Sequence, residues 1–149
     1  GVPQMTEMDL QELIRGILPL FSGNLPSNVS LSVDVHSVQV MVDAAQFKQV
    51  FYNLFRNSLE AMGEQGKIRL FSKLTEEEVH IYVDDDGPGI PDELKDDIFE
   101  PFVSTKKKGT GLGLALIRRI IERHQERITL VDKEERGTRF KISLPRVNK

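Results

Sequence analysis

Two hydrophobic periods alternate along this chain, and each marks a different kind of element. Leu10, Leu13, Ile14, Ile17, Leu18 and Phe21 recur at helical spacing, opened by Asp9 with Glu12 three residues on, close to a capping box. This predicts a first helix from Leu10 to about Leu18 or Phe21, with Pro19 as a kink or stop. Residues 31–35 and 38–42 alternate apolar and polar side chains, which predicts a short hairpin on a half-buried sheet. Phe47, Val50, Phe51, Leu54, Phe55, Leu59 and Met62 then return to the helical period and predict an amphipathic helix over 44–62. Segments 67–72 and 79–85 read as adjacent antiparallel strands joined by the polar stretch 73–78. A helix over about 112–123, with Leu114, Ile117, Ile120 and Ile121 on one side, precedes strands near 127–131 and 138–144, joined by a turn at 134–137. Mostly antiparallel strands with three one-faced helices predict an α+β fold, a two-layer α/β sandwich with one sheet face packed on the helices.

Composition narrows the class. At 149 residues the chain fits one domain with a core of its own, and 39% hydrophobic with 29% charged residues is a globular balance, not a disordered one. A formal net charge of −3 offers no global positive field for nucleic acid or anionic lipid, so any anion site must be local. The absence of Cys excludes disulfides, thiolate metal sites and Cys nucleophiles. No apolar run approaches the ~18 residues of a membrane span, and the N-terminus lacks the pattern of a signal peptide.

The candidate chemistry begins on the strand at 79–85. Parity puts Asp85 in the row of Val79, Ile81 and Val83 and turns His80, Tyr82 and Asp84 outward. An unpaired carboxylate on the apolar face would cost several kcal/mol, and no Lys or Arg occupies a matching place in the helices. Either the strand ends one residue early and Asp85 caps a turn with Gly87, or the missing donor is a ligand amine. Asp85 also opens Asp85-Asp86-Gly87-Pro88-Gly89-Ile90, whose glycines allow a flat ligand close to the backbone. Thr138, after Gly137, falls on the row of Phe140, Ile142 and Leu144. Alone it is a strand-end residue satisfied by backbone; with Asp85 it gives an apolar layer two placed polar groups, the anatomy of a small-molecule site.

Two further features flank that pair. Asn53 and Asn57 lie one turn apart on a polar stripe with Gln49 and Glu60, either as solvated amides or as neutral oxygens for a hard cation such as Mg²⁺, which takes its other ligands from phosphates and water. From Pro88 to Gly113 the chain runs about 25 residues with a short helical stretch at 91–99 and apolar anchors at Phe99 and Phe102, a length usual for functional or disordered loops. It ends in Ser104-Thr105-Lys106-Lys107-Lys108-Gly109-Thr110-Gly111-Leu112-Gly113-Leu114 and leads into a helix. Bare amides at a helix N-terminus with neighbouring Lys suit a phosphate; a solvated loop is the plainer reading of the lysines.

In this order, Asn53-x-x-x-Asn57, Asp85-x-Gly87-x-Gly89, Phe99 to Phe102, Gly109-Thr110-Gly111-Leu112-Gly113-Leu114 and Gly137-Thr138 resemble the N, first-Gly, F, second-Gly and third-Gly boxes of sensor histidine kinases. The likeness runs from Asp9 to Pro145, so residues 1–8 are expected to be a linker or cloning remnant and 9–149 the ATP-binding catalytic domain. The fold implied is the one shared with gyrase, heat-shock chaperone and mismatch-repair ATPases. The short lid and Phe99-Glu100-Pro101-Phe102-Val103-Ser104-Thr105-Lys106 are most similar to nitrogen-regulation-type sensor kinases.

The resemblance implies roles. Asp85 would accept from the adenine amino group with Thr138 beside it, Asn57 would hold Mg²⁺, and Gly109, Thr110, Gly111, Leu112, Gly113 and Leu114 would wrap the triphosphate of ATP. Gly87, Gly89, Ile90, Phe102 and Thr105 complete the nucleotide site, and Lys106 would approach the γ-phosphate, with Asn53 the other catalytic candidate. The implied partners are the dimerisation and phosphoacceptor domain of the same kinase and, through the full-length protein, a response regulator. Nucleic acid and direct membrane contact are not expected, and the implied compartment is cytoplasmic, whether or not the full-length protein is membrane-anchored.

Two departures qualify this. Where the family commonly reads His-Gly-Gly, this chain has His124-Gln125-Glu126. None of His36, His80 and His124 has the setting of a phosphoacceptor, so the γ-phosphate is expected to go to a His on another segment. An autonomous ATPase clamp and a nucleotide sensor without transfer are the rival readings. Asn53 bears on the first, because related ATPases carry a Glu general base at that place and an amide cannot take a proton.

Overall fold

The computed structural model describes residues 2–103 and 113–147. A short strand, β1 (Thr6–Asp9), runs into α1 (Leu10–Ile17), and the Asp9 carboxylate caps that helix by accepting from the Glu12 N–H at 3.3 Å. Pro19 acts as expected: α1 stops, and a single new turn, α2 (Pro19–Ser22), starts on the proline. Then come β2 (Asn28–Asp34), β3 (Gln39–Val42) and the long helix α3 (Ala44–Met62), capped by Asp43, whose carboxylate accepts from the Gln46 N–H at 3.1 Å. The hairpin β4 (Gln65–Leu74) and β5 (Glu78–Asp85) follows, then a 3₁₀ turn (Asp92–Leu94), α4 (Gly113–Arg123), β6 (Arg127–Leu130) and β7 (Thr138–Pro145).

A five-stranded sheet in the order β2-β4-β5-β7-β6 carries the helices on one face. Every pairing in it is antiparallel except β2 with β4. Ile68 and Leu70, Val79, Ile81 and Val83, and Phe140, Ile142 and Leu144 form the inward rows of the three central strands, all buried. They meet Phe47, Val50, Phe51, Leu54 and Phe55 of α3, Leu10, Ile14 and Ile17 of α1, and Ile117 and Ile121 of α4. Truncating such a buried Phe to Ala costs about 3–5 kcal/mol, so this layer fixes how α3 sits over the end of β5.

His124 seals the far end of the layer. Its Nδ1 donates to the Ile120 carbonyl oxygen at 2.9 Å, its Nε2 accepts from the Asp43 N–H at 3.1 Å, and its ring meets Phe47 edge-on. It is a structural histidine. The turn after it puts a side chain where glycine is favoured: Gln125 has φ +60, while its N–H and that of Glu126 donate to the Glu122 and Ile121 carbonyls, closing a Schellman turn around a non-glycine residue.

Several expectations are corrected. Residues 31–35 and 38–42 form no hairpin: β2 joins the main sheet beside β4, while β3 pairs antiparallel with β1 in a separate two-stranded ribbon. Thr6 to Met8, in the stretch read as a linker, lie in β1, which was not foreseen as a strand. The helical stretch at 91–99 is only the 3₁₀ turn. Phe102 is no anchor, being 78% exposed with φ +69; Ile98 is buried and Phe99 packs edge-on against Phe140. Among the described residues, no helix is long and apolar enough to cross a membrane.

Candidate functional site

The last residues of β5 hold the site. Asp85 is only 3% exposed and pairs in register with Thr138, itself buried, at the start of β7. The parity expectation for both is met: they share the helix-side face. Asp85 Oδ1 accepts from the Gly87 N–H at 2.8 Å. Burial pushes the Asp85 carboxyl above its ordinary value, and Asp84 adds to the rise, while hydrogen bonds from the Gly87 amide, Ser58 and the Thr138 amide hold it down. Among the described residues, no Lys or Arg pairs with this carboxylate.

Backbone packs closely around it. A Cβ on Gly87 would stand 3.0 Å from Asp85 Oδ1 and 3.4 Å from the Ala61 Cβ of α3. Gly137, at φ +129, brings β7 so near β5 that a Cβ there would overlap the Asp85 carbonyl oxygen. Beyond Thr138 a cavity of about 300 Å³ opens, walled by Gly89, Ile90, Gly137 and Thr138 on one side and by Leu130, Val131, Lys95, Asp132 and Lys133 on the other. Asp85 itself is not on that wall. Ile90, Leu130 and Val131 give that wall its apolar surface, Lys95, Asp132, Lys133 and Thr138 its polar one, and Thr138 leads from it to the buried Asp85 carboxylate; a flat heterocycle carrying a hydrogen-bond donor suits that combination.

Asp84 departs from expectation in an informative way. It does point to the opposite face, yet it is 1% exposed, because three cations converge on it. Arg69 Nη1 lies 2.9 Å from Oδ1, and Arg139 Nε and Lys133 Nζ lie 2.7 and 3.0 Å from Oδ2. Arg69 also bridges to Asp86 Oδ1 at 2.9 Å, and Asp86 Oδ2 accepts from the Lys67 N–H at 3.0 Å.

On α3, Asn53 and Asn57 are both half-buried. Their amide oxygens are neutral ligands for a cation, and among the described residues no three His, Asp or Glu side chains gather as they would around a protein-held metal ion. A cation held by Asn57 would therefore draw most of its ligands from phosphate and water, which suits Mg²⁺. Thr105, Lys106, Gly109, Thr110, Gly111 and Leu112 lie outside the described residues, as do Ser104, Lys107 and Lys108. Gly113 opens α4 and Leu114 is half-buried in its first turn. Ser58 was not foreseen, although a hydroxyl one turn from Leu54 and Phe55 on the buried stripe is a legible signal. Lys133 was not foreseen either, and nothing local distinguishes it from Glu134 or Glu135.

Known proteins share sequence and fold with the chain. Residues 42–148 match the model of the histidine kinase-, DNA gyrase B-, and HSP90-like ATPase family. Sporulation kinase A of Bacillus subtilis (strain 168) is 39% identical over 142 residues, covering 93% of this chain and 23% of that protein. The sensory histidine kinase/phosphatase NtrB of Rhodobacter capsulatus is 44% identical over 116 residues, covering 69% of this chain and 32% of that protein. The solved catalytic domain of the histidine kinase ThkA superposes with a TM-score of 0.85 at 38% identity, covering 95% of this chain and 97% of that one. ThkA is also known in complex with the response regulator protein TrrA, where the match has a TM-score of 0.82 at 35% identity and covers 96% of this chain and 42% of that one. The chain belongs to this ATPase family, as a catalytic domain of the sensor histidine kinase kind. It spans about a quarter of the length of Sporulation kinase A, at 23%.

Proposed function

We propose that the domain binds Mg²⁺–ATP and donates the γ-phosphate to a histidine of a separate dimerisation domain of the same kinase. The observation that carries this reading is Asp85: a buried carboxylate whose described partners are an amide, a hydroxyl and a second amide, and which gains a matched donor when an adenine amino group arrives. Thr138 would flank the base and Asn57 would hold Mg²⁺, whose charge offsets that building on the phosphates in the transition state. Gly109 to Leu114 would wrap the phosphates, with Thr105 and Phe102 at the rim and Lys106 near the γ-phosphate. In the transfer the bond from the β,γ-bridging oxygen to the γ-phosphorus breaks, an imidazole nitrogen forms the new bond, and ADP leaves.

Asn53 favours transfer over an ATPase clamp. It stands one turn before Asn57, where a general base for water would have to stand, and an amide cannot accept the proton. An imidazole acceptor is nucleophilic when neutral and needs less help. The setting implied is the cytoplasm, where ATP is, and the downstream partner is a response regulator, the kind of protein with which ThkA has been solved.

The test mixes purified domain, γ-labelled ATP and a separately made dimerisation segment of the cognate kinase. The segment should be labelled and the domain should not, at a rate that rises with acceptor concentration. Asn57→Ala should abolish labelling. Steady hydrolysis without labelling would establish the clamp instead, and nucleotide binding with neither outcome a sensor.

A further inference from the structure

The loop between β6 and β7 sends two cations back to the turn that follows β5. Lys133, with a side chain only 6% exposed, places Nζ 3.0 Å from Asp84 Oδ2 and 3.2 Å from the Asp85 carbonyl oxygen. Arg136 Nε donates to the Gly87 carbonyl oxygen at 3.2 Å. Main-chain carbonyls on both sides of Asp86 are thus tied to one loop, and that loop ends at Gly137 and Thr138, directly across from Asp85. Lysine is seldom this buried without a charged partner. Its partner Asp84, however, already has Arg69 and Arg139, so neutralising Asp84 does not require a third cation. What Lys133 alone among these three supplies is the bond to the Asp85 main chain.

We infer that Lys133 is a positioning residue for base recognition: it holds the Asp85 main chain from the opposite face of the sheet, so that the Asp85 carboxylate is aimed at the amino group of the base. The inference rests on the nucleotide reading above. Asp85 projects from the end of a strand, beyond which the ladder with β4 stops at Ile68, and on that side the following turn is held through the Asp86 side chain, which meets the Lys67 N–H and Arg69. Lys133 and Arg136 hold its main-chain carbonyls from the β7 side. A carboxylate displaced by even about 1 Å loses much of a directional hydrogen bond.

The test is a calorimetric titration of wild type and Lys133→Met with Mg²⁺–ATP and with the triphosphate of purine riboside, which lacks the 6-amino group. ATP affinity should fall about tenfold in Lys133→Met while the analogue's affinity holds, and Lys133→Arg should keep most of the preference for ATP. General loosening would weaken both ligands equally. If Lys133→Met does not fold, Lys133→Gln, neutral and leaving Asp84 paired with Arg69 and Arg139, reads the same difference. Equal loss for the two ligands, or a preference for ATP that survives the substitution, overturns the inference. A wild-type protein with no preference for ATP over the analogue overturns the Asp85 reading, and this inference with it.

Discussion

Asp84 and Asp85 are adjacent, almost equally buried, and opposite in circumstance. Asp84, on the outer face of the sheet, is met by three cations from β4, β7 and the β6–β7 loop. Asp85, on the helix face, is met among the described residues by neutral donors. Both carboxylates leave water, and both must recover what that costs. One recovers it within the fold. The other does so in part, and the shortfall is what supports the proposal that a ligand donor completes it. Burial alone therefore does not distinguish the two carboxylates; the charge of their partners does.

The largest effect expected from breaking this contrast is on Asp84. Asp84→Ala leaves Lys133 and Arg139 without their carboxylate and Arg69 with Asp86, and removing one partner from a buried ionic cluster costs about 3–5 kcal/mol. Urea unfolding measures it. A loss below about 1 kcal/mol would mean that water screens the cluster as it does a surface pair.

Asp85→Asn should do the reverse. Asparagine keeps an oxygen for the Gly87 N–H but loses the charge that strengthens a bond to an amino group, so ATP affinity should fall by about 1.5–3 kcal/mol, tenfold to a hundredfold. The fold should not suffer. Burial raises the folded-state pKa of Asp85, so its contribution to stability is present below the unfolded pKa and is lost as pH rises through the folded one. At neutral pH the ionised form works against folding, and Asp85→Asn should melt at the same temperature as wild type or higher. A folded variant that binds ATP unchanged would remove Asp85 from the site.

How far these two residues could be foreseen follows from how local their causes are. Strict alternation along β5 was enough to send Asp85 inward and Asp84 outward, and Thr138 inward on β7, because a strand's period depends on nothing beyond the strand. The burial of Asp84 was not legible, since it is made by Arg69, Lys133 and Arg139, brought together only by the sheet order. The failed hairpin at 31–42 has the same origin. Alternation says that a segment is a strand and says nothing of its partner, and β2 found β4 while β3 found β1. β1 itself escaped notice because Thr6-Glu7-Met8-Asp9 alternates nothing and is half exposed. α3 was placed to the residue, since nineteen residues of one period, capped by Asp43, leave little freedom.

A third carboxylate sharpens the comparison with the smallest effect. Glu126, after the Schellman turn, is pushed from an ordinary 4.5 to about 7, chiefly by burial and then by Glu78, with Arg127 pulling it partly back. Like Asp85 it is poorly compensated, but it lies at the start of β6, away from Gly87, Thr138 and the cavity. If weak compensation alone marked a binding carboxylate, Glu126 would be one; the argument for Asp85 requires the convergent groups as well. Its raised pKa means that the protonated form favours folding, with full effect below about 4.5, and that this is lost as pH rises through about 7. Wild type should therefore lose stability between those limits, and Glu126→Gln should lose less, ending about 1 kcal/mol ahead at pH 8 once solvent screening of the half-exposed carboxyl is allowed for. ATP affinity should not change. Thermal melts across that pH range, paired with one titration at pH 8, check both halves, and a loss of ATP binding in Glu126→Gln would show that the site extends from Asp85 and Thr138 to the approach to β6.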